Sequence, residues 1–163
     1  MTTIGLISDT HNHLDDKFFN FFEPCDMILH AGDIGSLELA EKIARFRPLK
    51  AVYGNIDSQE TRLVYPETQR FKVEKTEIFM IHIGGYPGKY SAKAKKVLEN
   101  TAPNIFVCGH SHILRIMYDK KYNCLVMNPG AAGRYGMQIK RTALRFKISD
   151  NDINDLEICE LDL

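Results

Sequence analysis

Seven side chains in this chain offer the donor atoms of a metal centre: Asp9, His11, Asp33, Asn55, His82, His110 and His112. All are oxygen or imidazole donors, and no thiolate belongs to the set. That mixture suits borderline to hard divalent ions, manganese first, with nickel, iron or zinc as alternatives. Seven donors exceed what one tetrahedral ion needs and match two ions that share a carboxylate. Each cluster alone is a weak signal, since a lone D-x-H or a single histidine after an apolar run is common. The Gly109-His110-Ser111-His112 run is stronger, because a glycine lets the backbone bend so that alternate residues both turn toward one site. The conjunction is stronger still: four of the six histidines fall just after apolar runs.

Those apolar runs are the elements that must position the donors. TIGLIS (3–8) leads into Asp9-Thr10-His11, and DMILH (26–30) into Ala31-Gly32-Asp33. LKAVY (49–53) leads into Gly54-Asn55, EIFMI (77–81) into His82, IFVC (105–108) into Gly109-His110, and CLVM (124–127) into Asn128-Pro129-Gly130. Short β-branched and apolar runs bounded by turn residues read as buried strands. Helical periodicity lies between several of them, in LDDKFFNFFE (14–23), SLELAEKIARF (36–46) with Ser36 placed to cap it, and YSAKAKKVLENT (90–101). The second half instead reads as hairpins, over 70–81, 114–127 and 142–161. The expectation is an α/β protein with two mixed sheets flanked by helices, and ligands at the carboxyl ends of the strands.

Length and composition bound the function. A chain of 163 residues with 44% hydrophobic and 26% charged residues reads as one globular domain over 1–163. Lys plus Arg equals Asp plus Glu, 21 each, so no basic excess argues for nucleic acid. No signal-peptide pattern or long apolar run is present, which gives the expectation of a cytoplasmic protein without a membrane partner. A homo-oligomer is compatible with the sequence. Cys25, Cys108, Cys124 and Cys159 form no C-x-x-C pair and read as reduced, structural cysteines.

In this order, Asp9-x-His11, Gly32-Asp33, Gly54-Asn55, His82 and Gly109-His110-Ser111-His112 resemble the calcineurin-like metallophosphoesterase superfamily. The compact size and the closing Asn128-Pro129-Gly130 resemble its small YfcE-like phosphodiesterase branch, over residues 3 to 149. The resemblance implies a four-layer α/β/β/α sandwich and two divalent ions. Asp9, His11 and His112 would hold one ion, Asn55, His82 and His110 the other, and the two oxygens of Asp33 would bridge them. It also implies hydrolysis of phosphodiesters, or of small phosphomonoesters, by a hydroxide held between ions ~4 Å apart. Asp33, Asn55 and His13 form the candidate catalytic set, and Arg134 with Asn55 the candidate substrate-binding pair.

The chain departs from the family pattern twice. Ile56 stands where many members carry a histidine that protonates the leaving group, so the general acid is unassigned and His13 is its nearest candidate in sequence. His82-Ile83-Gly84-Gly85 lacks a second histidine that the branch often carries. His30 reads as core or as support for a ligand, and Asn128-Pro129-Gly130 as a tight turn at the site rim. GGYPGKY (84–90) either borders the substrate pocket or only turns the chain. The competing reading is a non-catalytic protein-interaction scaffold of the same fold, like the retromer subunit, whose ligand set is degraded. Here all seven positions hold competent donors, which favours the enzyme.

Overall fold

The computed structural model describes all 163 residues, from Met1 to Leu163. Strand β1 (Thr2–Ile7) opens the chain, followed by helix α1 (Asp16–Phe21), β2 (Met27–His30), α2 (Leu37–Phe46), β3 (Leu49–Ala51) and α3 (Gln59–Val64). The second half runs β4 (Thr68–Val73), β5 (Thr76–Ile81), a small ribbon of β6 (Gly85–Tyr86) and β7 (Lys89–Tyr90), α4 (Ala92–Asn100) and β8 (Ile105–Val107). It closes with the hairpins β9 (Leu114–Asp119) with β10 (Cys124–Pro129), and β11 (Lys140–Ser149) with β12 (Asp152–Asp162).

Two five-stranded mixed sheets result, in the orders β12-β11-β1-β2-β3 and β4-β5-β8-β10-β9. In the first, β1, β2 and β3 run parallel; in the second, β5, β8 and β10 do. Antiparallel hairpin strands flank each parallel set.

Side-chain alternation builds the layers. Along β5, Ile78 and Met80 enter the core between the sheets, while Phe79 and Ile81 pack with Ala94 and Leu98 of α4. Along β1, Ile4 and Leu6 enter the same central core, which Leu144, Phe146 and Ile148 of β11 complete from their alternate positions. On the outer face of the first sheet, Ile7 and Ile28 meet Phe18 of α1, Phe22 just after it, and Leu39, Ala40 and Ile43 of α2. Strands buried on both faces need continuous apolar runs, which is why they were legible as such. Three cores between four layers make the expected α/β/β/α sandwich. The four cysteines are free, and no helix is long and apolar enough to cross a membrane.

Capping follows from side chains at the helix starts. Asp15, Ser36, Ser58 and Ser91 each accept a hydrogen bond from a first-turn backbone N–H. Three features differ from the sequence expectation. Helix α3 is present although its Leu63 and Val64 are exposed, so it shows no apolar face to read. The Gly/Pro-rich stretch forms the β6–β7 ribbon rather than a plain loop. Asn128 and Pro129 are not a turn: they end β10, with Pro129 paired to Leu114 and its carbonyl accepting from the Thr142 hydroxyl at 2.6 Å. Proline is tolerated there because a strand end has few amide hydrogen bonds to lose.

Phe146 is fully buried between the sheets. Phe146→Ala should therefore lower the unfolding free energy by about 3–5 kcal/mol, measured as a fall in the urea midpoint with the m-value unchanged. A loss under about 1 kcal/mol would contradict a close-packed inter-sheet core.

Candidate metal centre

Five strand ends, β1, β2, β3, β5 and β8, deliver all seven candidate donors to one edge of the sandwich. Loops beyond the sheets are stitched together by backbone bonds. Asp9 N–H donates to the Gly32 carbonyl at 2.9 Å, His11 N–H to Asp33 at 3.0 Å, and Gly109 N–H to His82 at 2.9 Å. The donors fall into two triads, Asp9 with His11 and His112, and Asp33 with His82 and His110, each with its ligand atoms within 4.8 Å of one another. Asn55 joins the second, its Oδ1 lying 3.1 Å from His110 Nδ1.

Both carboxylates are buried and oriented by the same device: one oxygen is tied and the other is aimed. Asp9 Oδ2 accepts from the Ser8 hydroxyl at 2.6 Å and from His110 N–H at 3.0 Å, leaving Oδ1 3.2 Å from His112 Nε2. Asp33 Oδ1 accepts from Ile56 N–H at 3.1 Å, leaving Oδ2 between His11 Nε2 at 3.5 Å and His82 Nε2 at 3.2 Å. Asp33 thus faces His11 and His82 with one oxygen, while the Ile56 amide holds the other.

The histidines are fixed from behind. His82 Nδ1–H donates to the Ala31 carbonyl at 2.7 Å, so Nε2 is the nitrogen turned to the cluster. Gln138 donates through its amide nitrogen to the carbonyls of Gly133 and Tyr135, which turns its oxygen toward His112 Nδ1–H at 3.0 Å. His11 is stacked on Tyr135, with ring centroids 4.8 Å apart. Asp9 Oδ1, His11 Nε2 and His82 Nε2, with His13 Nε2 outside the triads, are buried without any hydrogen-bond partner. Orphaned buried polar atoms are costly and rare, and the first three converge from both triads on one space. Two divalent ions fit that donor set.

The charges agree. Burial raises the pKa of Asp9, but His112, whose Nε2 lies 3.2 Å from Oδ1, and the nearby His82 charge outweigh it and hold the carboxyl below its usual range. Asp33 behaves alike through His82. Burial depresses His82, yet Asp33 Oδ2, 3.2 Å from its Nε2, and the charge of Asp9 carry it above the usual value. The neighbouring Asp9 carboxylate likewise raises His112. A cation bound here would displace those protons.

Five of the seven donors, Asp9, His11, Asp33, His110 and His112, have left-handed backbone, with φ between 45° and 71°. Non-glycine residues rarely adopt this region, and such strain concentrates at functional sites. The glycines beside them serve close approach. A Cβ on Gly54 would sit 2.1 Å from Asp33 Oδ1, and one on Gly109 would sit 2.0 Å from Ser8 Oγ.

Asp57, which the sequence offered only as the residue after Ile56, is a central brace. It is buried and accepts from Gly54 N–H at 2.7 Å, Gly35 N–H at 3.0 Å and Ile34 N–H at 3.2 Å, clamping the Asp33 loop to the Asn55 loop. Arg62 grips the other side, donating to the carbonyls of Asp57 at 2.9 Å, Asn55 at 3.2 Å and Gly54 at 3.4 Å. Asn128 braces the histidine loop by donating to the Gly109 carbonyl at 2.9 Å and Ser111 Oγ at 3.1 Å. Neither Asp57 nor Gln138 belongs to an apolar pattern or a ligand motif; the one usable signal was an acidic side chain two residues beyond Gly54-Asn55.

The other sequence candidates stand apart. His13 belongs to neither triad; burial first, then the charges of Arg134 and Arg141, push its pKa down. Arg134 is exposed. His30 is fully buried support: Gly32 N–H donates to its Nδ1 at 3.1 Å, so Nε2–H donates to Thr10 Oγ1 at 3.0 Å, and Thr10 donates to the Ile34 carbonyl at 2.7 Å. Burial pushes its pKa down to about 4.

Comparison with known proteins follows the same lines. A model of the calcineurin-like phosphoesterase superfamily domain matches residues 2–151. A protein named probable metallophosphoesterase from Methanothermobacter thermautotrophicus is 27% identical over 135 residues, covering 78% of this chain and 76% of the relative. A phosphodiesterase of Methanocaldococcus jannaschii is 23% identical over 148 residues, 81% of this chain and 85% of that one. Among solved structures, Vps29 of Chaetomium thermophilum superposes with a TM-score of 0.77 at 13% identity, over 99% of this chain and 97% of its own.

Two variants separate the braces. Asp57→Ala should cost about 3 kcal/mol of stability and weaken manganese binding at both sites, because it frees two loops at once. Gln138→Leu should weaken one ion only, by about 10–100-fold, because it unfixes His112 alone. Calorimetric manganese titration checks both; an equal loss at the two sites in Gln138→Leu would contradict the brace. His30 gives a pH prediction. Its folded pKa of about 4 lies below the ordinary 6.5, so its contribution is complete above about pH 6.5 and is lost as pH falls toward 4. In chelator, the wild type should lose on the order of 3 kcal/mol over that window through this group. The corresponding stability–pH slope in His30→Gln should be shallower; identical slopes would contradict a buried neutral imidazole.

Proposed function

This chain belongs to the calcineurin-like phosphoesterase superfamily, and from that premise we propose that it is a dinuclear metal-dependent phosphoesterase acting on phosphodiesters, with small phosphomonoesters as secondary substrates. The observation that carries the reading is the pairing of two Asp/His triads around Asp33 Oδ2, 3.5 Å from His11 and 3.2 Å from His82. In this reading Asp9, His11 and His112 hold one ion, and Asn55, His82 and His110 the other. Asp33 serves both. We take manganese first, with nickel, iron or zinc as alternatives, all four suiting oxygen and imidazole donors. When bound, the ions supply Lewis-acid polarisation of the phosphoryl oxygens and a water deprotonated near neutral pH.

The chain's own residues do the rest. Asp9 and Asp33 put negative charge at the floor of the site, so an incoming phosphoryl group binds only once that charge is neutralised. Asn55 contributes an uncharged oxygen and an amide N–H₂, and the latter can donate to a phosphoryl oxygen as charge builds on it. Ile56 supplies only its backbone N–H, to Asp33; its side chain is aliphatic and 46% exposed. Burial and the charges of Arg134 and Arg141 lower the pKa of His13, which counts against it as proton donor. With no side-chain acid beside Asn55, the leaving group departs as an anion or takes its proton from water.

One observation favours the second reading, a protein-interaction scaffold: Met137 and Ile139, on the loop that carries Gln138, are 99% and 80% exposed. Activity separates the two. Hydrolysis of bis(4-nitrophenyl) phosphate should require added manganese, vanish in chelator and fall at least about 100-fold in Asp33→Asn; equal background rates with manganese and with chelator would favour the scaffold. The missing acid should also show. Rates should fall steeply as leaving-group pKa rises, and Ile56→His should speed alkyl esters more than aryl esters, general acid catalysis being worth about 10²–10⁴-fold. A flat dependence in the wild type would mean that a proton donor is already present.

A further inference from the structure

Beside the metal site lies a cavity of about 370 Å³, walled on one side by Gly109, His110 and Ser111 and on the other by the β6–β7 ribbon. Its lining holds two cations, Lys89 and Arg115, and no carboxylate. Several other cations of the chain are already engaged. Lys93 pairs with Glu67, Arg70 with Glu77, Arg141 with Asp15 and Arg145 with Glu157, and Arg62 is used in holding loop carbonyls. Lys89 and Arg115 take part in no ion pair and no side-chain hydrogen bond.

Arg115 is also placed rather than loose. It is half-buried on β9, opposite Asn128 in the register, and Asn128 is the residue that ties down the His110 loop. Its guanidinium lies 3.9 Å from the centroid of the Tyr86 ring. Stacking on an aromatic face fixes the plane of the guanidinium and leaves its N–H edge free for an anion. Such a fork suits the paired oxygens of a phosphate or carboxylate.

We propose that this cavity receives a second anionic group of the substrate, a phosphate or a carboxylate carried away from the phosphoryl group being cleaved, with Arg115 as its principal contact and Lys89 as the second. The proposal rests on the hydrolase reading and narrows its substrate class to phosphoesters with such an anion on an ester arm. It also replaces the exposed Arg134 with Arg115 as the cation that selects substrate.

Binding of non-hydrolysable phosphonates tests it without turnover. Benzylphosphonate, 4-carboxybenzylphosphonate and xylylene diphosphonate are titrated calorimetrically into the manganese-loaded protein. The two analogues with a second anion should bind at least about tenfold more tightly than benzylphosphonate, and whichever gains more names the anion. Arg115→Gln, which keeps the side-chain stem over Tyr86, should abolish the advantage. Lys89→Ala, on the exposed ribbon, should reduce it, and Lys120→Ala, elsewhere on the surface, should preserve it. Equal affinities for the three compounds in the wild type, or an advantage that survives Arg115→Gln, would overturn the proposal. Intact hydrolysis without discrimination sinks the pocket alone. Discrimination without any phosphoester hydrolysis sinks the hydrolase reading instead.

Discussion

Two buried carboxylates that face the same space without a lysine or arginine between them govern this structure. Asp9 and Asp33 each have one oxygen neutralised by local donors and the other pointed at imidazoles. An uncompensated buried charge is expensive. The imidazoles of His82 and His112, with raised pKa values, answer part of that demand. Divalent cations would answer it more completely, and they would also satisfy the three orphaned atoms of the triads. No lysine or arginine side chain bonds to either carboxylate.

That arrangement needs the backbone as much as the side chains. Left-handed conformations at five donor positions are unfavourable, and they persist because loops from different strands bond to one another beyond the sheets. Asp57 and Arg62 hold the Asn55 loop from opposite sides, Gln138 sets the His112 ring, and His30 with Thr10 links the first two ligand loops. The two sheets below act as the rigid base. Their central core buries Ile4, Leu6, Phe146 and Met80 so closely that the strand ends keep their spacing.

The sequence disclosed the parts that depend on side-chain type and period. Strands buried on both faces are apolar throughout, so β1, β2, β5 and β8 were visible as runs, and the donors that follow them were visible as exceptions. Helix α2 announced itself through Ser36 and its apolar face. Parts that act through backbone groups were hidden. Nothing in the string shows that the Ile56 amide ties one oxygen of Asp33, or that Asp57 collects three backbone N–H groups from two loops. Helix α3 hid because it buries little, and the β6–β7 ribbon because glycine and proline read as loop. Arg134 drew notice by standing in a Gly-rich stretch, whereas Arg115 looked like an ordinary strand residue until its place on Tyr86 and the cavity wall could be seen.

The central proposal is that Asp33 would serve two ions, with Oδ2 the oxygen that the Ile56 amide leaves free. Anomalous diffraction from a manganese-soaked crystal tests it most directly. Two peaks should flank Asp33 Oδ2, one contacted by Asp9, His11 and His112, the other by Asn55, His82 and His110, with Oδ1 still hydrogen-bonded to the Ile56 amide. A single peak, or two peaks bridged through both oxygens of Asp33 with the Ile56 bond broken, would contradict it.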